Sequence, residues 1–249
     1  MKNTKAEYNK IAEGYTQATV RPMRRFAYEP TVKHHVGDLR RKRVLDLACG
    51  EGVSSRMMRE LGATEVIGVD LSEELIRKAR QKGGEIRYLV RDCINGDLSE
   101  LGNFDAVTAI MLLHYAESEN QLRGAIRNIH RTLVPKGVCS ALIVNPDTLE
   151  TGYENYGIRL SRAKSEGEPV LTELHDFNWD KFCEFTDYAW RRETYDRIFQ
   201  EEGFETEWLP GIVSKEGVQE YGEEFWKDYL ENPIYMMIKA KKVKIDIIY

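Results

Sequence analysis

No stretch of this 249-residue chain strings together the eighteen or so apolar side chains that a bilayer-crossing helix requires. Met1-Lys2-Asn3-Thr4-Lys5 is followed by no apolar core, so no secretory leader and no membrane partner are expected. Cysteine is scarce and scattered. Cys49, Cys93, Cys139 and Cys183 form no C-x-x-C pair, which removes the usual zinc spacings, and no metal is expected. Three of them fall in or beside apolar runs, where a buried thiol is the ordinary state, and a reducing cytoplasm fits. Positive charge is also short: 36 Lys and Arg against 41 Asp and Glu leave a net charge of −5. The only dense basic run, Arg40-Arg41-Lys42-Arg43, reads as a solvated loop or helix end, and the broad basic surface of a nucleic-acid enzyme is missing. No internal repeat or low-complexity linker interrupts the chain. What remains is an ordinary globular composition, 42% apolar and 31% charged, of a length that suits one large domain.

One stretch organises the rest. Val44-Leu45-Asp46-Leu47-Ala48-Cys49-Gly50-Glu51-Gly52 opens as a short apolar run suited to a buried strand and ends in two glycines, after which Val53-Ser54-Ser55-Arg56-Met57-Met58 starts a helix. A strand, a glycine turn and a helix let the backbone approach a ligand closely, with free N–H groups at the helix start. Dinucleotide-binding folds share this construction, but the third glycine of G-x-G-x-x-G is absent here. Asp46 and Glu51 also flank the turn, which disfavours a pyrophosphate and favours a ligand with a cationic end. About twenty residues on, Val66-Ile67-Gly68-Val69-Asp70 is a second buried strand ending in an acid placed to bind both ribose hydroxyls. Leu71 follows as an apolar residue for an adenine face, then Ser72 as a helix N-cap with Glu73 and Glu74 in the first turn.

Together, Asp46-Leu47-Ala48-Cys49-Gly50-Glu51-Gly52 and Asp70 resemble the class I S-adenosylmethionine-dependent methyltransferases. The resemblance implies S-adenosyl-L-methionine as cofactor, with S-adenosyl-L-homocysteine as its product. It also implies that Ala48, Gly50 and Gly52 belong to the cofactor site, and that Asp92 and Cys93, just past the third strand, contact the adenine. The alternative for Asp92 is a loop cap. An N-terminal helix often lids the methyl donor in such enzymes, which makes Tyr8 and Tyr15, seven apart on one helical face, candidate cofactor contacts; plain packing is the other reading. Arg21 and Arg25 lie nearby in sequence.

Alternation of strand and helix runs from residue 43 to 145, with strands at 43–48, 65–70, 85–90, 104–110 and 138–145 and helices at 53–61, 73–81 and 119–133. The expected fold is α/β: a Rossmann-like, seven-stranded, mostly parallel sheet with helices on both faces. Residues 1–40 read as a helical lid of two helices, 41–145 as the cofactor-binding core, 146–190 as a substrate-side insertion, and 191–249 as the completion of the sheet, with a helix at 193–202 and strands at 204–209 and 234–240. Ligands on such sheets sit beyond the carboxyl ends of the strands, so Ile110 to Tyr115, Met111 included, should face the cofactor methionine and the substrate. His114 is the histidine placed near the chemistry, and its near-neutral titration suits a general base as well as its position suits a structural role. The Asn/Asp-Pro-Pro-Tyr/Phe run of enzymes that methylate nucleic-acid bases is absent. The insertion holds Tyr153, Tyr156, Phe177, Trp179, Phe182, Phe185, Tyr188 and Trp190. These serve either an aromatic-walled pocket for a flat organic molecule or a small core of the insertion itself.

Over most of its length the chain also resembles the toxoflavin-synthase group of small-molecule methyltransferases. The matching runs are Tyr8-x-x-Ile11-Ala12-x-x-Tyr15, Leu112-Leu113-His114-Tyr115-Ala116, Arg192-Glu193-Thr194-Tyr195 and Phe225-Trp226-Lys227-Asp228-Tyr229-Leu230. That resemblance implies N-methylation of an azapteridine-like heterocycle, with a small-molecule acceptor and no nucleic-acid partner. O-methylation of a small acidic or phenolic metabolite, and a non-catalytic S-adenosylmethionine-binding protein, stand as alternatives. Should the acceptor need a base, His114, His175 and Tyr15 are the candidates.

Overall fold

The structure is a computed structural model that describes residues 22–148, 153–161, 163–176 and 179–243. Tyr8 and Tyr15, with the first of the two expected N-terminal helices, lie outside the described residues. The expected second helix begins with a π-wound stretch, Met23–Tyr28, and continues as α1, Glu29–Val36. Pro30 sits in the first turn of α1, where its missing N–H costs least.

Seven strands form one sheet in the order β3-β2-β1-β4-β5-β10-β9. β1 (Arg43–Leu47), β2 (Glu65–Asp70), β3 (Arg87–Val90), β4 (Phe104–Ile110) and β5 (Leu133–Val144) run parallel to their neighbours, while β10 (Tyr235–Lys242) is antiparallel to both β5 and β9 (Phe204–Pro210). This is the expected fold. Central strands are buried on both sides, as their near-continuous apolar runs require. Leu45, Leu47, Val107 and Ala109 pack with α4 (Glu119–Thr132) and α5 (Arg192–Glu201). Val44, Ala106 and Ile110 pack with α1 and α2 (Val53–Glu60) on the other face. α3 (Glu73–Gln81) covers the β3 side through Ile76 and Ala79. Serine caps start α3 and α4: Ser72 accepts from the Leu75 N–H and Ser118 from the Gln121 N–H.

β5 starts earlier than its apolar run predicts, at Leu133, because Phe104 pairs Leu133 before an irregularity shifts the register to Ala106 against Val138. The insertion is a second, antiparallel sheet of β6 (Ile158–Leu160), β7 (Pro169–His175) and β8 (Lys181–Tyr188). Its rings are not a core of its own. Tyr153, Tyr156, Ile158 and Leu160 share one cluster with Met23 and Phe26 and with Trp226 and Tyr229 of the helix pair α6 (Lys215–Tyr221) and α7 (Glu223–Glu231). The basic run lies at the amino end of β1, where Arg40 pairs Asp38 and Arg43 pairs Glu65. All four cysteines are buried free thiols. Among the described residues no helix is long and apolar enough to cross a membrane.

Candidate cofactor and acceptor site

The glycine turn is tied to the tip of β2. The Cys49 N–H donates to the Val69 carbonyl at 3.0 Å, and the Gly50 N–H donates to Asp70 Oδ2 at 2.9 Å. Asp70 Oδ1 accepts from the Ser72 N–H at 2.8 Å. Burial pushes the Asp70 carboxyl up, and the Ser72 and Gly50 N–H groups pull it back down. Each oxygen keeps a lone pair beyond these bonds, so the carboxylate can still accept hydroxyls. Leu71 follows, half-buried.

The two glycines are required for different reasons. Gly50, at φ +54°, has no described neighbour within 4 Å of where a Cβ would stand. Gly52, at φ +81°, has the Tyr88 ring against it: an added Cβ would strike the Tyr88 hydroxyl and lie 2.8 Å from Cζ. Gly50 is therefore the open cradle and Gly52 the packed hinge. Gly52→Ala should cost about 1–2 kcal/mol from the left-handed backbone alone, with displacement of Tyr88 added. Adding Tyr88→Phe should recover only part of the loss, because Cζ remains. Urea midpoints of the two single variants and the double variant check this, and full recovery would show that the hydroxyl was the whole obstacle.

Both acids flanking the turn differ from expectation. Asp46 does not face a ligand. It is fully buried, its Oδ2 accepting from Ser54 Oγ (2.7 Å) and Ser55 Oγ (2.6 Å) and its Oδ1 from Thr108 Oγ1 (2.7 Å). It ties α2 to β1 and β4 from inside the sheet, because position 46 falls on the α2 side of the pleat. Glu51 is paired with Lys82, at the end of α3, at 2.9 Å. The acid left with spare accepting capacity at the strand ends is Asp70, bonded only by backbone N–H groups among the described residues.

At the exit of β3, Asp92 is a loop cap: Oδ1 accepts from the Ile94 and Asn95 N–H groups, each at 2.9 Å, and Oδ2 from the Asn95 amide at 3.1 Å. Cys93 is buried beside it. Asn128 of α4 donates to the carbonyls of Cys93 (3.2 Å) and Gly96 (2.7 Å) and fixes this loop; an amide inside a helical run carries no local signal of that role.

Backbone strain marks the exits of β1 and β4. Ala48 (φ +53°) and Met111 (φ +58°) are left-handed without being glycine, a conformation that concentrates at functional sites. The Met111 N–H donates to the Leu142 carbonyl at 2.8 Å, and the chain then turns through Leu113–Tyr115. His114 is enclosed in that turn, with neither ring nitrogen hydrogen-bonded among the described residues. Burial lowers its pKa to about 3, so the imidazole is neutral.

Two adjoining cavities lie between these strand ends and the inner face of the second sheet. One is mostly apolar, lined by Met23, Tyr28, Met111, Tyr156, Phe185 and Tyr235 among others. The larger, about 470 Å³, is lined by His114, Asn145, Asp187, Tyr188, Trp190 and Tyr195 among others, and shares Val144 and Leu160 with the first. Trp190 is anchored by its Nε1–H to the Ala116 carbonyl at 2.9 Å. His175 lies elsewhere, buried and bonded to Glu173 (3.2 Å) and the Trp179 carbonyl (3.2 Å) beside a separate notch. Trp179 is 39% exposed and serves neither cavity. Asp187 and Thr172 were missed in sequence because a carboxylate and a threonine among apolar neighbours read as outward-facing strand positions.

Residues 44–137 match the family described as methyltransferase domain. The N-demethylindolmycin N-methyltransferase of Streptomyces griseus is 29% identical over 168 residues, 65% of this chain and 68% of that protein. The ubiquinone biosynthesis O-methyltransferase of Xanthomonas oryzae pv. oryzae (strain PXO99A) is 36% identical over 104 residues, 40% of this chain and 42% of that protein. Among solved structures, an S-adenosylmethionine-dependent methyltransferase from Mesorhizobium loti superimposes with a TM-score of 0.63 at 19% identity, covering 90% of this chain and all of that one, a likeness of fold. The turn itself fits the cofactor, with an open glycine and a carboxylate at the tip of the next strand. The chain is a class I S-adenosylmethionine-dependent methyltransferase.

Proposed function

We propose that the enzyme methylates a ring nitrogen of a planar heterocyclic metabolite of the toxoflavin or azapteridine kind. The observation that carries this reading is the pair of ring-walled cavities beyond the carboxyl ends of β4 and β5, large enough for one flat molecule. The likeness to a relative named as an N-methyltransferase supports nitrogen as the acceptor atom. The acceptor is a small molecule and not nucleic acid: no Lys or Arg among the described residues lines the larger cavity.

When bound, the cofactor supplies a methyl group activated by a positively charged sulfur. Asp70 would accept the ribose hydroxyls, Leu71 would cover the adenine, and the segment Asp92–Cys93 would meet the adenine edge. The backbone at Ala48 and Gly50, together with Met111, would hold the methionine part. Gly52 and Asp46 act as positioning residues that fix the turn. His114 hydrogen-bonds the acceptor as a neutral ring; with a pKa of about 3 it holds a proton too weakly to serve as the base. Most of the protein's contribution is alignment and exclusion of water.

Mass spectrometry of turnover mixtures tests this, using adenosylmethionine with a didemethylated toxoflavin precursor, related pteridines, flavin-like heterocycles and a few phenols. A methyl increment on an azapteridine, with adenosylhomocysteine appearing in step, is the expected result. Methylation of phenols alone would move the acceptor atom to oxygen.

A further inference from the structure

The second sheet carries a buried acid with no place in the cofactor site. On β8, Phe185 and Asp187 point to the same side, toward the strand ends of the main sheet, and Asp187 is only 4% exposed. Its one side-chain partner among the described residues is Thr172 of β7, whose Oγ1 donates to Oδ2 at 3.1 Å. Burying a carboxylate with a single hydroxyl partner is costly, and a fold retains such a group where a ligand completes it. Asp187 lines the larger cavity together with His114, whose two ring nitrogens are buried and without partners among the described residues. Two independent, under-satisfied polar groups, from the turn after β4 and from β8, thus line one cavity that Trp190 walls with a flat indole.

We propose that Asp187 and His114 form the polar anchor of the acceptor pocket, selecting a planar heterocycle that presents a ring N–H beside a carbonyl or ring nitrogen. Asp187 receives the N–H proton. The inference rests on the methyl-transfer reading and adds to it the residue that prepares the acceptor. The ring N–H donates to the Asp187 carboxylate, and the neutral His114 donates from one nitrogen to the neighbouring acceptor atom. The proton then passes from the ring nitrogen to Asp187 and on to water at the cavity mouth, leaving the nitrogen's electron pair free; nothing is oxidised or reduced.

The Asp187 carboxyl is raised by burial to about 7, with the Thr172 hydroxyl opposing the rise. Among the described residues, the titratable groups around it are His114, from the turn after β4, Tyr188 beside it on β8, and Tyr195 of α5. Burial raises the Tyr195 hydroxyl, and Asp187 and Glu166 raise it further. Neither His114 nor Tyr195 carries charge near neutral pH, since His114 is held neutral and the Tyr195 hydroxyl is raised. Among the lining groups described, Asp187 is the one raised to a value near neutrality.

The test first titrates adenosylhomocysteine alone into the protein by calorimetry. Pteridine-2,4-dione is then titrated into the loaded complex from pH 5.5 to 8.5, for wild type, Asp187→Asn and Thr172→Val. Wild-type affinity is expected to rise about tenfold through pH 7 as Asp187 ionises. Asp187→Asn should bind at least about tenfold more weakly at pH 8 and lose the enzyme's inflection, its profile carrying only the probe's own ionisation. Thr172→Val should keep the inflection but move it to higher pH. If adenosylhomocysteine binds and Asp187→Asn retains both the wild-type affinity and the inflection, or wild type takes no probe, the assignment of Asp187 is overturned while the cofactor site stands. If adenosylhomocysteine itself fails to bind, the underlying reading falls with it.

Discussion

Asp70→Ala is expected to weaken adenosylhomocysteine binding by at least about 100-fold while leaving the far-ultraviolet spectrum of the fold in place. Two hydroxyl bonds to a carboxylate at roughly 1.5–3 kcal/mol each set that scale. Asp70 also accepts from the Gly50 and Ser72 N–H groups, so the alanine loosens the turn it is meant to anchor. Asp70→Asn separates these effects, because the amide oxygen keeps one acceptor and the side chain cannot titrate. Burial raises the wild-type Asp70 carboxyl, and protonation removes its capacity to accept. Wild-type affinity should therefore fall as pH drops through the raised value, whereas the asparagine variant stays flat. Calorimetric titration of the three proteins from pH 4.5 to 8 makes the comparison, and an unchanged dissociation constant in Asp70→Ala would place the ribose elsewhere.

Trp226→Ala should cost roughly 3–5 kcal/mol of stability, the usual toll of emptying a buried indole site. The ring is fully buried, stacks on Tyr156 with centroids 5.6 Å apart at 15°, and meets Phe225 edge-on at 4.9 Å. Its Nε1–H donates to the Gly217 carbonyl at 2.8 Å, joining α7 to α6. Tyr156 belongs to the same set: its hydroxyl donates to the Phe225 carbonyl and accepts from the Tyr229 N–H. Because Tyr156 also walls the apolar cavity, the variant should lose acceptor binding more than cofactor binding. Trp226→Phe should recover most of the packing and leave the Gly217 carbonyl short of a donor, a residual cost of roughly 1–3 kcal/mol. Denaturant midpoints at constant slope read both effects, and a Trp226→Ala midpoint equal to wild type would mean that the helix pair is no part of the cooperative core.

The main sheet was legible because its strands are buried on both faces. Runs such as Val66-Ile67-Gly68-Val69 and Ala106-Val107-Thr108-Ala109-Ile110 have no solvated side to blur their limits, and the strands at 65–70 and 104–110 and the helix at 73–81 fall where the pattern places them. β6 and β7 were not legible. β6 is three residues long, and in β7 the buried positions are Thr172 and His175 while Leu171 stands 39% exposed, so the hydrophobic alternation is broken on the strand that borders the cavity. The electrostatic use of Asp46 failed for a related reason. Spacing gives its place beside the glycines, but the pleat turns it toward Ser54, Ser55 and Thr108.

What the sequence determined by itself was the part of the molecule in which function is local. A strand, a glycine turn and an acid at the end of the next strand are each a few residues long, and their backbone geometry follows from residue type: the positive φ at Gly50 and Gly52 and the apolar continuity of β1 and β2. The pair of cavities proposed to take the acceptor was decided only by the tertiary structure. Met23, His114, Tyr156, Thr172, Asp187 and Tyr235 come together from elements scattered over most of the chain. Whether Asp187 or Asp46 meets a ligand depends on which face of a strand is covered by which neighbour, and that is set by packing between sheets, a long-range property that no local spacing records.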